Sequence, residues 1–349
     1  TLRWYGPGYD SVTLKQIRQI PGVKNVITTL FGKQAGELWL PEEIAELKKV
    51  VSDAGLGIAG IESVNVSDDI KIGTAKRDEH IDNYIKTLQA LGEADIHMVC
   101  YNFMPVFDWT RSDLNYELED GSTCLIYDEE QVKKMDPALG ELELPGWDTS
   151  YGEGGLKGLL EQYKDIDEEI LWSNLNYFIQ RIMKVADEVR MKMAIHPDDP
   201  PWGIFGLPRI ITNFENLKRF IDLYDSPYHG ITLCTGSLGC TKVNDMVKMI
   251  NYFGKERNRI HFAHLRNVKI TGDSSFNEVA HLSEAGSLDF YEIVKAYCDY
   301  DFTGPYRPDH GRMIWGETGR PGYGLYDRAL GAVYINGLIE AINKNKKNN

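Results

Sequence analysis

The segment MKMAIHPDDPP, Met191–Pro201, predicts a buried strand and the point where that strand ends. Its first residues form a short apolar run, and the prolines that follow cannot continue the hydrogen bonding of a sheet. Because side chains alternate along a strand, Ala194 and His196 share one face. The sequence therefore predicts a histidine at the end of a strand, directly before an acidic loop.

The rest of the chain mostly alternates short apolar or β-branched segments with segments of helical periodicity. Strands are predicted at 2–6, 23–30, 56–64, 96–106, 191–196, 230–234, 259–265 and 304–309. Helices are predicted at 13–19, 41–55, 77–92, 165–189, 213–223, 243–252, 288–297 and 326–343. Eight such units predict an α/β protein whose parallel sheet closes into a (β/α)8 TIM barrel. A doubly wound open sheet is the main alternative, but it would be favoured by an early glycine-rich phosphate loop, which the sequence lacks.

We expect a single TIM-barrel domain over residues 1–349, ending in a flexible basic tail at 344–349. Residues 107–163 interrupt the alternation after the fourth strand and mix acids, glycines and aromatics without strong periodicity. A segment of this length in a compact domain is usually a functional loop. We therefore interpret 107–163 as an insertion that forms a lid over the barrel mouth.

The composition limits the classes of partner. A net charge of −14 disfavours nucleic acid or an anionic membrane as the main partner, although local cations can still bind a small anionic substrate. The five cysteines are an odd number without the spacing of a disulfide scaffold, which is typical of a reducing compartment. With neither a signal peptide nor a long uncharged apolar segment in the sequence, we expect a soluble cytoplasmic protein.

Four residue types suited to a metal fall at the predicted ends of the last four strands. Active sites of TIM barrels lie at the C-terminal ends of the strands, so these side chains are expected to meet. Two imidazoles, a thiolate and a carboxylate suit a divalent transition metal, and the thiolate favours Mn²⁺, Fe²⁺ or Zn²⁺ over Mg²⁺ or Ca²⁺. The four candidates are His196, Cys234, His264 and Asp309.

Each candidate has a structural interpretation when it is considered alone. A single histidine is more often a hydrogen-bonding residue, Cys234 resembles a small buried hydrophobic residue, and Asp309 fits a turn. Their occurrence at the ends of four consecutive strands favours the interpretation that they bind a metal. His261 lies three positions before His264 and so faces the other side of its strand, where we expect a structural role.

Other residues near these strand ends suit acid–base chemistry and anion binding. His310 follows Asp309 directly, and a glycine-rich segment, GETGRPGYGLYDR, supplies Tyr323 and Tyr326. Arginine can bind a carboxylate through two parallel hydrogen bonds. All except His310 are equally compatible with surface or scaffold roles. The candidates for substrate binding are Arg3, Tyr5, Asn102, Arg266, Asn267 and Arg312.

At these residues the sequence resembles the mannonate dehydratase family, which belongs to the xylose-isomerase-like TIM-barrel superfamily. The similarity lies in RWYGP, CYNFMPVFDWTRSDL, IHPDDPPWGIFGLPRI, LCTGSLG, HLRN, RPDHGRMIWGE and PGYGLYDRALGAVY, which extend over the whole chain. The sequence departs from the family mainly at 31–36, where Phe31 replaces an expected histidine, and in the insertion.

The resemblance implies dehydration of D-mannonate to 2-keto-3-deoxy-D-gluconate in glucuronate catabolism, with one Mn²⁺ or Fe²⁺ per chain. It implies that His196, Cys234, His264 and Asp309 are the metal ligands and that His310 and Tyr323 transfer protons. Proton removal next to a carboxylate requires a base and stabilisation of an enediolate, and the departing hydroxyl requires an acid. Which of His310 and Tyr323 is the base stays open, and Tyr326 is the weaker candidate.

Three alternatives remain at this point. A sugar isomerase on the same scaffold would bind two metals through several carboxylates, so metal stoichiometry would distinguish it. A metal-dependent phosphoester hydrolase acting on nucleic acid is disfavoured by the acidic charge. A sugar-acid binding protein would not need both a metal and the proton-transfer pair. We also expect a homo-oligomer, a dimer or higher.

Overall fold

The computed structural model describes residues 1–137 and 155–348, and its centre is an eight-stranded parallel sheet. Every strand ends at the same mouth, because all neighbouring pairs run in one direction. In order around the sheet, the strands are β1 (Leu2–Arg3), β2 (Asn25–Thr28), β3 (Gly57–Glu62), β4 (Met98–Tyr101), β7 (Lys192–Ile195), β8 (His229–Cys234), β9 (Ile260–His264) and β12 (Tyr306–Arg307).

Hydrogen bonds from the first residue link the two ends of this sheet. The amino group and the hydroxyl of Thr1 donate to the carbonyl oxygen of Tyr306 at 2.9 and 3.0 Å, respectively. The first strand is thereby joined to the last, and the sheet forms a nearly closed barrel. The predicted TIM-barrel fold is confirmed.

Helices cover the outside of the barrel and bury one apolar face each against it. In the longest helix between two barrel strands, Leu171, Phe178 and Ile182 lie on the buried face, and the Asp167 side chain caps the first turn by accepting from the Ile170 N–H. The larger helices are α2 (Pro41–Asp53), α4 (Arg77–Glu93), α7 (Glu168–Glu188), α8 (Phe214–Ile221), α11 (Phe290–Asp299) and α12 (Tyr326–Asn348). Shorter helices are α1 (Leu14–Arg18), α3 (Asp68–Ile72), α5 (Glu129–Val132), α6 (Gly155–Tyr163), α9 (Thr235–Gly239) and α10 (Met246–Met249).

A second, antiparallel sheet of four strands joins the insertion to the loop after β9. Its order is β10 (Val268–Gly272), β11 (Ser275–Glu278), β6 (Thr123–Tyr127) and β5 (Asp113–Glu117). Phe276 pairs with Tyr127 and their rings stack, so segments about 150 positions apart are held together. An apolar cluster that includes Phe107, Leu159 and Ile204 packs beside this sheet. The insertion is therefore built onto the strand-end side of the barrel.

Several predicted boundaries differ from the structure. The described part of the insertion contains β5, β6, α5 and α6. Residues 138–154 of the insertion lie outside the described residues. The predicted helix 243–252 begins at Met246 and continues as a π-helix, Ile250–Glu256. The last helix does not end at 343 but continues to Asn348, where Lys346 Nζ donates to the Cys298 carbonyl oxygen. Among the described helices, none is both long and apolar enough to cross a membrane.

Candidate metal and active site

The four predicted ligands meet at the mouth of the barrel. His196 Nε2 lies 3.1 Å from His264 Nδ1, and these two atoms and Cys234 Sγ all lie within 4.8 Å of one another. Asp309 contributes one oxygen 3.7 Å from His264 Nδ1 and the other 3.7 Å from Cys234 Sγ. Cys234 meets His264 because they are register partners on neighbouring parallel strands. Strand-end position alone thus accounts for the cluster.

Both histidine rings are oriented by contacts outside the cluster. His196 Nδ1 lies 2.7 Å from the Pro197 carbonyl oxygen, which can only accept, so Nδ1 carries a hydrogen and Nε2 is the nitrogen directed toward the cluster. His264 Nε2 lies 3.5 Å from Glu62 Oε2, and its Nδ1 therefore faces the cluster. Each ring directs one nitrogen toward the same point, as metal binding requires.

The electrostatics of the cluster favour a cation. Burial opposes ionisation of Cys234, but Arg266 and hydrogen bonds with the two imidazoles lower the pKa of its thiol well below the usual value. Burial likewise opposes ionisation of Asp309, yet His310, His264 and nearby arginines hold the pKa of its carboxyl well below the usual value. Burial opposes protonation of His196, but the neighbouring anions raise its pKa to about 9. Two buried anions beside two imidazoles fit a divalent transition metal.

A second group of possible ligands shares His264 with the first. It consists of Glu62, Cys100 and His264, whose ligand atoms also lie within 4.8 Å of one another. Burial and the nearby Glu62 raise the pKa of Cys100 well above its usual value, and Thr232 donates a hydrogen bond to its sulfur at 3.1 Å. Cys100 therefore stays a thiol, and the group around Cys234 is the better metal site.

A pair of proton-transfer groups lies next to this cluster. His310 Nε2 is 2.9 Å from the Tyr323 hydroxyl, and both side chains are buried. Burial raises the pKa of Tyr323 well above its usual value, with the neighbouring Tyr5 and Asp309 adding to the effect. The ring of Trp109, from the insertion, packs against the His310 imidazole with centroids 4.9 Å apart. The phenol is therefore a neutral hydroxyl in contact with an imidazole.

One cavity of about 530 Å³ connects these groups. It is lined by residues of the metal cluster and by both proton-transfer residues, together with side chains from β1, β4 and the insertion. Its volume accommodates a small organic molecule. The sequence-predicted residues on its wall are Arg3, Tyr5, Asn102, His196, Asp309, His310 and Tyr323.

Comparisons with known proteins identify the family of this chain. The family model described as D-mannonate dehydratase (UxuA) matches residues 1–349. The chain is 59% identical to mannonate dehydratase 2 of Halalkalibacterium halodurans over 342 residues, which cover 98% of this chain and 99% of that protein. The chain belongs to the D-mannonate dehydratase family. The family resemblance inferred from the sequence is confirmed.

Solved structures support the dehydratase family and the fold separately. The crystal structure of mannonate dehydratase from Streptococcus suis serotype 2 superposes with a TM-score of 0.92 at 49% identity, covering 99% of this chain and 95% of that one. A xylose isomerase-like TIM barrel protein from Mycobacterium smegmatis superposes with a TM-score of 0.54 at 13% identity, covering 94% of this chain and 87% of that one. The second likeness concerns the fold alone.

Three predicted substrate-binding residues of this dehydratase-family chain do not line the cavity and form ion pairs or hydrogen bonds elsewhere. Arg266 is buried in ion pairs with Asp199, Glu278 and Asp309. The Asn267 amide donates to the Leu282 carbonyl oxygen and accepts from the Val268 and Leu288 N–H groups. Arg312 pairs with Asp120 at 2.9 Å and with Asp327 at 3.0 Å. Their donors and acceptors hold loops together and none of the three lines the cavity, so their role in substrate binding stays a prediction.

Residues that sequence reasoning missed complete the dehydratase-family site. Glu62, at the end of β3, pairs with Arg3 at 3.4 Å and with Arg307 at 3.1 Å. Extending the strand-end argument to the third strand would have found it. Arg320 lines the cavity with its guanidinium 4.2 Å from the Tyr5 ring centroid. Across residues 1–137 and 155–348, no carboxylate forms an ion pair with Arg320.

His261 occupies the structural position that strand parity predicts. It is buried, and a Cβ at Gly230 would lie only 2.4 Å from its Nε2, so the ring packs against the neighbouring strand rather than the cavity. Burial lowers the pKa of His261 to about 3, which keeps the ring neutral. His261 therefore takes no part in the metal cluster.

Proposed function

We propose that this chain is a hydro-lyase that converts D-mannonate to 2-keto-3-deoxy-D-gluconate in glucuronate catabolism, with one divalent cation held by His196, Cys234, His264 and Asp309. The proposal rests on one observation in a chain of the D-mannonate dehydratase family. This cluster and the His310–Tyr323 pair both border the same cavity. Family membership also argues against the isomerase, phosphoester hydrolase and binding-protein alternatives.

We assign Mn²⁺ or Fe²⁺ to this cluster, because the donor set combines imidazole and thiolate with only one carboxylate. Mg²⁺ and Ca²⁺ prefer sites made of oxygen. A bound cation of this kind would stabilise negative charge that develops on the oxygens of the substrate carboxylate.

The side chains of the cavity account for the two proton transfers. Removal of the C2 proton requires a base, and loss of the 3-hydroxyl as water requires an acid. His310 and Tyr323 touch each other and line the cavity, so we assign both steps to this pair. The high pKa of Tyr323 keeps its hydroxyl protonated, so it holds a hydrogen that it can donate.

We assign binding of the anionic substrate to Arg320, with Arg3, Tyr5 and Asn102 as further contacts. Arg3 already pairs with Glu62, and Arg307 pairs with Glu62 and Asp309. Arg320 stacks on Tyr5 and has no carboxylate partner in the described chain, so its guanidinium is available to the substrate carboxylate.

We interpret the insertion 107–163 as a cover over the site. Asp108 and Trp109 line the cavity, the Thr110 N–H donates to the Asp199 carbonyl oxygen at 3.1 Å, and Arg111 pairs with Asp199 at 2.8 Å. These contacts support an insertion that is fastened to the barrel mouth and excludes water from the reacting groups.

The expected homo-oligomer and cytoplasmic location are proposals with separate support. Trp315 is 73% exposed beside Tyr326, and Leu330 and Val333 extend this exposed apolar surface along α12. Such a surface fits contact with a second copy of the chain, and light scattering would test it. All five cysteines are free and buried, which suits a reducing compartment.

An assay for the 2-keto-3-deoxy acid, with and without added metal, tests the proposed function. We expect turnover of D-mannonate with Mn²⁺ or Fe²⁺, loss of turnover on chelation, and poorer recovery with Mg²⁺. The C2 epimer D-gluconate should react more slowly. His310→Asn should retain metal but lose turnover, and an active variant would exclude His310 from proton transfer.

A further inference from the structure

A buried carboxylate contacts the proton-transfer histidine from the side away from Tyr323. Both oxygens of Glu278 lie 2.9 Å from His310 Nδ1, whereas Nε2 of the same ring lies 2.9 Å from the Tyr323 hydroxyl. Glu278 is 3% exposed and ends β11, in the hairpin that the sequence did not predict. It does not line the cavity, so it affects substrate only through other side chains, and His310 is the member of the proposed proton-transfer pair that it contacts.

Two buried arginines hold Glu278 in place and keep it ionised. Arg111 donates to it from Nε at 3.0 Å and from Nη2 at 2.6 Å, and Arg266 Nη1 donates to the same oxygen. Burial opposes ionisation, but Arg266, His310 and Arg111 lower the pKa of Glu278 to about 2. An ionised carboxylate can only accept hydrogen bonds. Arg266 Nη1 also lies 3.3 Å from His310 Nδ1, but both carboxylate oxygens are closer to it, so Nδ1 carries the hydrogen and donates it to Glu278.

The contacts of its two nitrogens set the orientation of the His310 ring, and the Trp109 ring packs against one side of the imidazole. With Nδ1–H donated to Glu278, the neutral ring has its lone pair on Nε2, and the Tyr323 hydroxyl donates to it. The donor and acceptor ends of His310 are thus assigned by the side chains around it.

We infer that Glu278 is a positioning residue for the proton transfers, one that holds His310 as its Nδ1–H tautomer with Nε2 directed at the Tyr323 hydroxyl. This inference rests on the proposed function. In the first step the C2–H bond breaks and the proton reaches Nε2, directly or through the Tyr323 oxygen. The imidazolium is stabilised by the Glu278 carboxylate. In the second step the C3–O bond breaks, the pair returns one proton to the departing hydroxide to form water, and the enol rearranges to the ketone.

The competing explanation is that Glu278 serves only as a counter-charge for the two arginines. Asp199 is a counter-charge for the same two arginines and does not touch His310: it pairs with Arg111 at 2.8 Å and with Arg266 at 2.5 Å. Asp199→Asn removes a buried carboxylate from the same arginines and leaves the contact between Glu278 and His310 in place, and because Asp199 also lines the cavity, the isotope effect rather than kcat is compared between the two variants. Both variants should lower the thermal midpoint.

The test compares Glu278→Gln with Asp199→Asn in the metal-loaded enzyme, using D-mannonate and D-mannonate deuterated at C2. A glutamine can turn its NH₂ toward Nδ1 and select the wrong tautomer, so we expect kcat to fall by about 100-fold. KM should stay within about twofold. The isotope effect on kcat/KM should rise in Glu278→Gln only, because proton removal becomes rate-limiting, whereas a smaller fraction of folded enzyme would leave it unchanged.

An unchanged isotope effect in Glu278→Gln, or an equal rise of the isotope effect in Asp199→Asn, would overturn the inference. If Glu278→Gln does not fold, Glu278→Asp provides the test, because it keeps the charge but shortens the reach to Nδ1. It should show the same raised isotope effect, and a normal one would count against the inference. Full activity of His310→Asn would instead refute the proposed function, so the two failures are distinguishable.

Discussion

Cys234 and His264 are opposite each other in the register of β8 and β9, and the Asp309 carboxylate lies 3.7 Å from an atom of each. Parallel strands carry their last residues to one mouth, so ligands 30 positions apart in the sequence become neighbours. Strand register thus brings Cys234 and His264 together, whereas His196 and Asp309 lie just beyond the ends of β7 and β12.

Replacement of the thiolate tests its contribution to metal binding. Cys234→Ser should weaken affinity for Mn²⁺ or Fe²⁺ by more than about 100-fold, since even outer contacts of metal ligands contribute 10- to 100-fold. Elemental analysis of the purified variant measures the metal content. Cys240→Ser is the control, because Cys240 is also buried but donates to the Ser237 carbonyl oxygen, a bond that serine can replace. Normal metal content in Cys234→Ser would remove the thiolate from the site.

Loss of the Arg320 guanidinium tests the assignment of substrate binding. Arg320→Ala should raise KM for D-mannonate by about 10- to 100-fold, the effect of losing one charge-assisted hydrogen bond. Arg312→Ala is the matched control: it breaks the ion pairs with Asp120 and Asp327 and should lower thermal stability without raising KM. If the two variants have the same KM, Arg320 does not bind the substrate.

Buried neutral histidines should make stability depend on pH between about 6.5 and 4. Burial lowers the pKa of His229 to about 4 and that of His261 to about 3, whereas histidine in an unfolded chain has a pKa of about 6.5. Below pH 6.5 the unfolded state binds protons that the folded state does not. The free energy of unfolding should therefore decrease as the pH is lowered, by up to about 1.4 kcal/mol per pH unit for each histidine.

Urea denaturation at pH 7, 6 and 5 measures this dependence. His229→Gln should show a shallower fall than the native chain, and replacement of the exposed His97 by glutamine should leave the fall unchanged. A free energy of unfolding that does not change between pH 6.5 and 5 would contradict the account of His229 and His261 as buried neutral rings.

The barrel and the convergence of the four candidate ligands could be predicted from the sequence because both depend on local patterns. His196 follows a recognisable apolar run, and the strand that contains it ends at prolines. Tyr323 is a candidate because of its glycine-rich segment, and in the structure its hydroxyl lies 2.9 Å from His310 Nε2. In these cases residue type and position relative to a strand end carry the information.

The charged residues behind the site could not be predicted in this way. Glu278 reaches His310 only because β11 pairs with β6 of the insertion, where Asn277 is opposite Ile126. Arg111 reaches Glu278 across 167 positions of sequence. Such contacts depend on long-range register, which a local pattern does not specify. Arg312 illustrates the same difficulty, because its partner Asp120 lies 192 positions away.

The central claim is that four distant side chains bind one cation, and anomalous diffraction from crystals loaded with Mn²⁺ tests it most directly. The account predicts one strong anomalous peak per chain, at about 2.0–2.4 Å from the nitrogen and oxygen ligands His196, His264 and Asp309 and slightly farther from the Cys234 sulfur. A peak elsewhere in the barrel, or one bonded to fewer than three of these side chains, would contradict it.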